Sequence, residues 1–198
     1  MKTHVYLTIA LCAMLISCSK EKSSTNDPAS DTNTSLNKNT TTDTTILSGT
    51  AYLQIISTGK DSIDLDKDGA ADIAFEIINL NDYNSTPLPA SLDSFAALVR
   101  PITLQILDNS KHSYPDALTE GQEINDQGNW TNTKGVLGTF TNAGQFKGNI
   151  ENYLGLRWAN NTYGWIKIHC SAHNDTLRIS EYGYNTSAGK FIKAGQKQ

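Results

Sequence analysis

Apolar positions in this chain follow two patterns. Val5 to Ile16 form a nearly unbroken apolar run of twelve residues close to the N-terminus. From Ile46 onward the dominant pattern is alternation, the period of a strand with one buried face. ILSGTAYLQIIS (46–57) reads as a first strand, and ADIAFEIINL (71–80) sets Ile73, Phe75 and Ile77 against Ala74, Glu76 and Ile78. SFAALVRPITLQILD (94–108) is a long apolar stretch interrupted by Pro101, which predicts an edge or a bend. NYLGLRWA, YGWIKIHCS and DTLRISEYGY predict three consecutive late strands. In the middle one, Ile166, Ile168 and Cys170 share one face, and Trp165, Lys167 and His169 share the other.

Between these runs lie segments rich in Gly, Asn and Thr, such as NDQGNWTNTKGVLGTFTNAGQF (125–146). No window carries a long helical stripe, and PDALTEGQEI is expected to form a single turn of helix at most. Many short strands separated by turn signals predict an all-β fold, an antiparallel β-sandwich of jelly-roll-like type, over residues 46–198.

The stretch before it cannot fold this way. Residues 19–45 hold no aromatic residue and one large apolar one, Leu36. Such a segment cannot bury enough surface to offset its ordering entropy, so a disordered Ser/Thr-rich tether is expected over 18–45. The twelve-residue apolar run is too short for a spanning helix, which needs about 20 residues. It has the length of a secretion-signal core, placing a signal peptide at 1–17.

The run ends Leu15-Ile16-Ser17-Cys18, which resembles the lipobox of bacterial lipoproteins. That resemblance implies cleavage before Cys18, a diacylglycerol on its thiol and a further acyl chain such as palmitate on the new amine. The protein would then be anchored through lipid in the outer membrane of a Gram-negative bacterium. Asp43-Thr44-Thr45 resembles an O-glycosylation motif of exported Bacteroidota-like proteins, and Ser19-Lys20-Glu21 resembles a short surface-display signal.

Cysteine and charge narrow the rest. With Cys12 in the signal and Cys18 lipidated, Cys170 remains alone, so no internal disulfide can form. Removal of residues 1–17 takes Lys2 and no acid, moving the formal charge from −4 to −5. No basic patch or aromatic-basic motif is present, so nucleic acid is not an expected partner. Membrane contact through lipid is expected, with a glycan or another envelope protein as the outward partner.

One stretch carries specific chemistry. DLDKDGAAD (64–72) puts four aspartates and one glycine into nine positions. Asp64, Asp66 and Asp68 stand at positions 1, 3 and 5, Gly69 at 6, and Asp72 at 9. Alternate residues of a tight loop can aim carboxylates at one centre, and calcium takes six to eight oxygens. The expected ligands are Asp64, Asp66, Asp68, the carbonyl of Ala70 and Asp72, with Asp61 or water completing the shell. The spacing resembles the loops of dockerins, thrombospondin type 3 repeats and integrin-like propellers. Phe75 stands where an EF-hand has its bidentate glutamate, and the flanks read as strands, so a strand-flanked calcium loop is expected. The alternative is an acidic solvated turn.

Other candidates are thinner. His169, Cys170 and His173 lie near one another, but Cys170 would face the opposite side of its strand, and no third ligand at zinc spacing is visible. Asp116, Glu120, Glu123 and Asp126 could supply an acid–base pair only if the fold brought two together. Trp130, Tyr153, Trp158, Tyr163, Trp165, Tyr182 and Tyr184 give the second half a high aromatic density, suited either to a core or to stacking on sugars. No catalytic motif is found. Finally, Asn152–Trp158, Tyr163–Ile168 and Glu181–Tyr184 resemble a C-terminal pattern of exported bacterial β-proteins, in which Gly164 is expected to set a hairpin or bulge.

Overall fold

Alternation becomes strand almost everywhere it was strong. A computed structural model describes residues 45–83, 94–112, 114–139, 143–148 and 150–198. The expected signal, Cys18 and the tether up to residue 44 lie outside the described residues. In chain order the strands are β1 (Ile46–Ile56), β2 (Gly59–Ile63), β3 (Ile73–Asn79), β4 (Phe95–Pro101), β5 (Gln105–Asn109), β6 (Tyr114–Pro115) and β7 (Glu123–Ile124). They continue with β8 (Trp130–Thr131), β9 (Gly135–Thr139), β10 (Glu151–Arg157), β11 (Tyr163–Cys170), β12 (Thr176–Asn185) and β13 (Ile192–Lys193). Among the described residues the one helical element is a 3-10 turn at Leu80–Asp82, and no helix is long and apolar enough to cross a membrane.

All pairings are antiparallel. One sheet runs β1-β12-β11-β10-β5-β6, with β8 also on β5; a second runs β2-β3-β4-β9. Between them lies a core built from both, including Leu53, Ile55, Phe75, Ile77, Val99, Leu137, Leu154, Ile166, Ile168 and Leu177. The fold is an antiparallel β-sandwich. Pro101 ends β4, and the chain then crosses to the other sheet as β5, which is the bend its position predicted.

Four features depart from the sequence reading. PDALTEGQEI forms no helical turn: Leu118 bridges to Tyr153, and Glu123–Ile124 pairs with β13. The Gly/Asn/Thr-rich 125–146 contains β8 and the edge strand β9. Trp165, on the face opposite Ile166, is fully buried, because Ile46, Leu118, Ile124, Tyr163, Ile192 and Ala194 build a second core over the outer face.

Gly164 sets neither hairpin nor bulge. The β10–β11 turn closes at Trp158–Thr162, where Trp158 N donates to Thr162 O at 3.0 Å and Asn161 takes a left-handed φ of 61°. The irregularity in β12 falls at Ser180, since Lys167 pairs Glu181 while Ile168 pairs Ile179. One extra residue on a strand reverses which side chains face inward. Leu177 and Ile179 face the main core before it, and Tyr182 packs against the same core after it. Gly164 pairs directly with Tyr184, so the two share that inner face. A Cβ on Gly164 would stand 2.9 Å from Trp158 Cζ3, 2.9 Å from Tyr184 Cβ and 2.7 Å from Gly183 O. Its missing side chain is the space Trp158 occupies.

Gly164→Ala should therefore overpack the site and cost about 1–3 kcal/mol. In a domain of this size the melting temperature should fall by roughly 2–12 °C. A thermal melt unchanged from wild type would show that Trp158 is not held against this glycine.

Candidate metal centre and adjoining cleft

The acidic stretch is the connection between β2 and β3, which pair in register from Ile63↔Ile73 outward. The expected strand flanks are present. Leu65, inside the loop, is 1% exposed and joins the main core. Burying such a side chain contributes roughly 1.5–3 kcal/mol, so the loop is pinned at its base. Asp72 N donates to Ile63 O at 2.8 Å and closes the hairpin neck. Lys67 (φ 63°) and Gly69 (φ 95°) take left-handed backbone, a conformation that glycine adopts without strain.

These bends turn the carboxylates inward. Asp64 accepts the N–H groups of Lys67 (2.7 Å) and Gly69 (2.9 Å); Asp68 accepts that of Ala70 (2.8 Å). Oxygens of Asp64, Asp66 and Asp72 lie within 4.8 Å of one another. Two ligands across one calcium ion, each at roughly 2.3–2.6 Å, stand up to about 5 Å apart, so the three oxygens can share such an ion. The cluster could hold a metal ion. Of the other expected ligands, Asp68 and Asp61 lie outside this group, and Ala70 sits on the exposed rim with its N–H turned to Asp68.

The three aspartates have different standing. Asp72 is 3% exposed and also serves as scaffold: one oxygen accepts Leu65 N at 2.9 Å, and the other accepts the Thr103 hydroxyl. Its carbonyl takes Ile102 N (2.8 Å) and Thr103 N (3.2 Å), tying the loop to the β4–β5 connection. Asp66 is exposed and accepts only a long N–H contact from Asp68 (3.2 Å). Partial desolvation, then the charges of Asp72, Asp68 and Asp64, push its carboxyl above the usual aspartate range, against the opposing pull of the Asp68 N–H. A cation would relieve that repulsion.

Asp66 also belongs to a second feature. With Trp158, Asn160, Thr162, Tyr184 and Thr186 it lines an open cleft of about 210 Å³. The Trp158 and Tyr184 rings meet at 5.5 Å between centroids, tilted by 47°. Sequence flagged both rings and the aspartate; that they face one cleft follows from sheet packing and from the break at Ser180.

The remaining candidates separate. Cys170 is in the core and burial pushes its thiol up to about 12, while His169 is half-buried on the opposite face and His173 is exposed. Among the described residues they form no metal group. Asp116 and Glu123 line a polar cleft of about 480 Å³ with Asp108, which sequence had not singled out. Burial, then the Asp116 charge, holds the Asp108 carboxyl above its usual range. Glu120 and Asp126 do not line that cleft. Of the aromatics, Tyr153, Tyr163 and Trp165 are buried, and Trp130, Trp158, Tyr182 and Tyr184 are half-buried. No protein-family model, no curated protein and no solved structure matches the chain.

The division between scaffold and ligand is testable without any metal. Asp72→Ala leaves the buried Leu65 N–H without an acceptor, at about 1–3 kcal/mol, while the hydroxyl of the exposed Thr103 can turn to water. In chelator, urea unfolding should show a loss of roughly 1–3 kcal/mol for Asp72→Ala and no loss for the exposed Asp66→Ala. Equal losses would remove the distinction.

Proposed function

We propose that this chain is a lipid-anchored protein of the bacterial cell envelope that displays a calcium-stabilised β-sandwich at the outer membrane. Its role in this reading is binding or structural rather than catalytic. The observation that carries the metal half is the convergence of Asp64, Asp66 and Asp72 within 4.8 Å in the loop of a strand-flanked hairpin. Three carboxylates at that spacing repel one another by roughly 3 kcal/mol per pair at an effective dielectric of 20. Calcium offsets this, and its tolerance of irregular oxygen shells suits a loop in which Asp72 is fixed and Asp66 is free to adjust. Magnesium demands near-octahedral geometry and should do less. The anchor half rests on Leu15-Ile16-Ser17-Cys18 and on the tether expected after it.

Calcium binding to the native state alone must raise apparent stability. At free calcium 100 times the dissociation constant the gain is about 2.7 kcal/mol, or roughly 5–10 °C in melting temperature. Asp66→Ala should remove most of that gain. Wild-type melts that coincide in chelator and in millimolar calcium would return the loop to an acidic turn.

The anchor is tested separately. Cys18→Ser should move the protein from the detergent phase to the aqueous phase on phase separation of a membrane extract. A variant that stays with detergent would overturn the lipid assignment.

A further inference from the structure

We infer that the cleft between Asp66 and the Trp158–Tyr184 pair binds a neutral sugar ring, coupled to the cation held beside it. Only the coupling rests on the metal reading; the cleft stands on its own geometry.

The volume selects the size of the ligand. About 210 Å³ is below the roughly 300 Å³ at which pockets for drug-sized molecules begin, so the cleft takes one ring, with any further units lying in solvent. The walls select its chemistry. Trp158 and Tyr184 supply an aromatic wall, fixed by packing on Gly164, since the Trp158 Nε1 has no hydrogen-bond partner. The same cleft is lined by polar groups whose free valences can be assigned. Thr186 Oγ1 donates to Thr45 O at 2.9 Å, which leaves its lone pairs as acceptors. Asn160 Oδ1 accepts Thr162 N at 3.0 Å, which leaves its amide N–H groups as donors. The Tyr184 phenol, protonated at neutral pH like any tyrosine, can donate.

A pyranose meets this set: its C–H face lies on an aromatic wall, and its hydroxyls both donate and accept. An ammonium ion only donates and leaves the Asn160 amide unmatched. A phosphate or carboxylate meets Asp66 with Asp64 and Asp72 close behind it, a group that keeps a net negative charge even with one divalent cation bound. The neutral polyol is the class that uses every wall.

Asp66 is common to the cluster and to the cleft. An ion on the cluster draws the Asp66 carboxylate toward it and sets the wall the sugar touches. By linkage, calcium and sugar then change each other's affinity by the same factor, which in this proposal is an increase.

The test applies the full chain in detergent to an array of neutral oligosaccharides, in millimolar calcium and in chelator, with choline as a cationic competitor. Binding to at least one neutral glycan is expected, weakened at least tenfold by Thr186→Arg, which fills the cleft from an exposed position. Trp158→Ala should do the same, with a thermal melt alongside to confirm that it folds. Chelator and Asp66→Asn should each reduce binding. No glycan bound while calcium still raises the melting temperature overturns the sugar site and leaves the metal centre standing. Binding untouched by Thr186→Arg places the sugar elsewhere and overturns the cleft. Choline bound in place of any glycan overturns the neutral class. Equal glycan binding with and without calcium overturns the coupling.

Discussion

The register break at Ser180 governs much of what this sandwich can do. Up to Ile179, odd-numbered residues of β12 face the interior; beyond Glu181 the even-numbered ones do, because β11 offers no residue opposite Ser180. Were β12 regular, Tyr182 and Tyr184 would point outward and Gly183 inward. As built, the bulge turns Tyr184 toward Trp158 and sets Gly183 beneath Trp165, whose ring would stand 2.8 Å from any Cβ there. One inserted residue thus supports two aromatic clusters on opposite faces of the sheet.

The acidic hairpin shows a similar economy. Leu65 and Asp72 secure it to the core and to the β4–β5 connection, while Asp64 and Asp66 remain at the surface. A cation there would not need to organise a floppy loop from scratch. It would lock carboxylates that are already gathered, so the ordering entropy charged against binding is small.

Strongly alternating segments were legible from sequence: β1, β3, β10, β11 and β12 all lie where the period-2 pattern placed them. The β2, β7, β8 and β13 strands were not, because two to five residues give too little period to read, and β7, β8 and β13 are held by partners that are not their neighbours in sequence. The second core escaped for a related reason. Tyr163 and Trp165 suit an exposed aromatic face as well as a buried one, and segments far apart in sequence decide it: Ile46, Leu118, Ile124 and the C-terminal Ile192 and Ala194 cover them, and Gln196 O accepts Trp165 Nε1 at 3.1 Å. In the loop, spacing correctly marked Asp64, Asp66 and Asp72 as neighbours. It could not reveal that Asp72 doubles as a buried acceptor for Thr103, or that Trp158 lines the same cleft as Asp66, since both depend on how the two sheets stack.

The pairing of β1 with β12 has a kinetic consequence. β1 ends its sheet, and its ladder partner is a strand more than 100 residues later; the neighbouring link from Thr186 Oγ1 to Thr45 O spans 141 residues. Such contacts impose a large loop-closure cost before they return any stability, so folding should be slow for a domain of this size. A chain emerging N-terminus first carries β1 without its mate until nearly all of the sequence has appeared, with Tyr52 and Ile56 already among its exposed apolar positions. During that delay β1 stands as an unpaired strand edge, the kind of surface through which incompletely folded chains associate with one another.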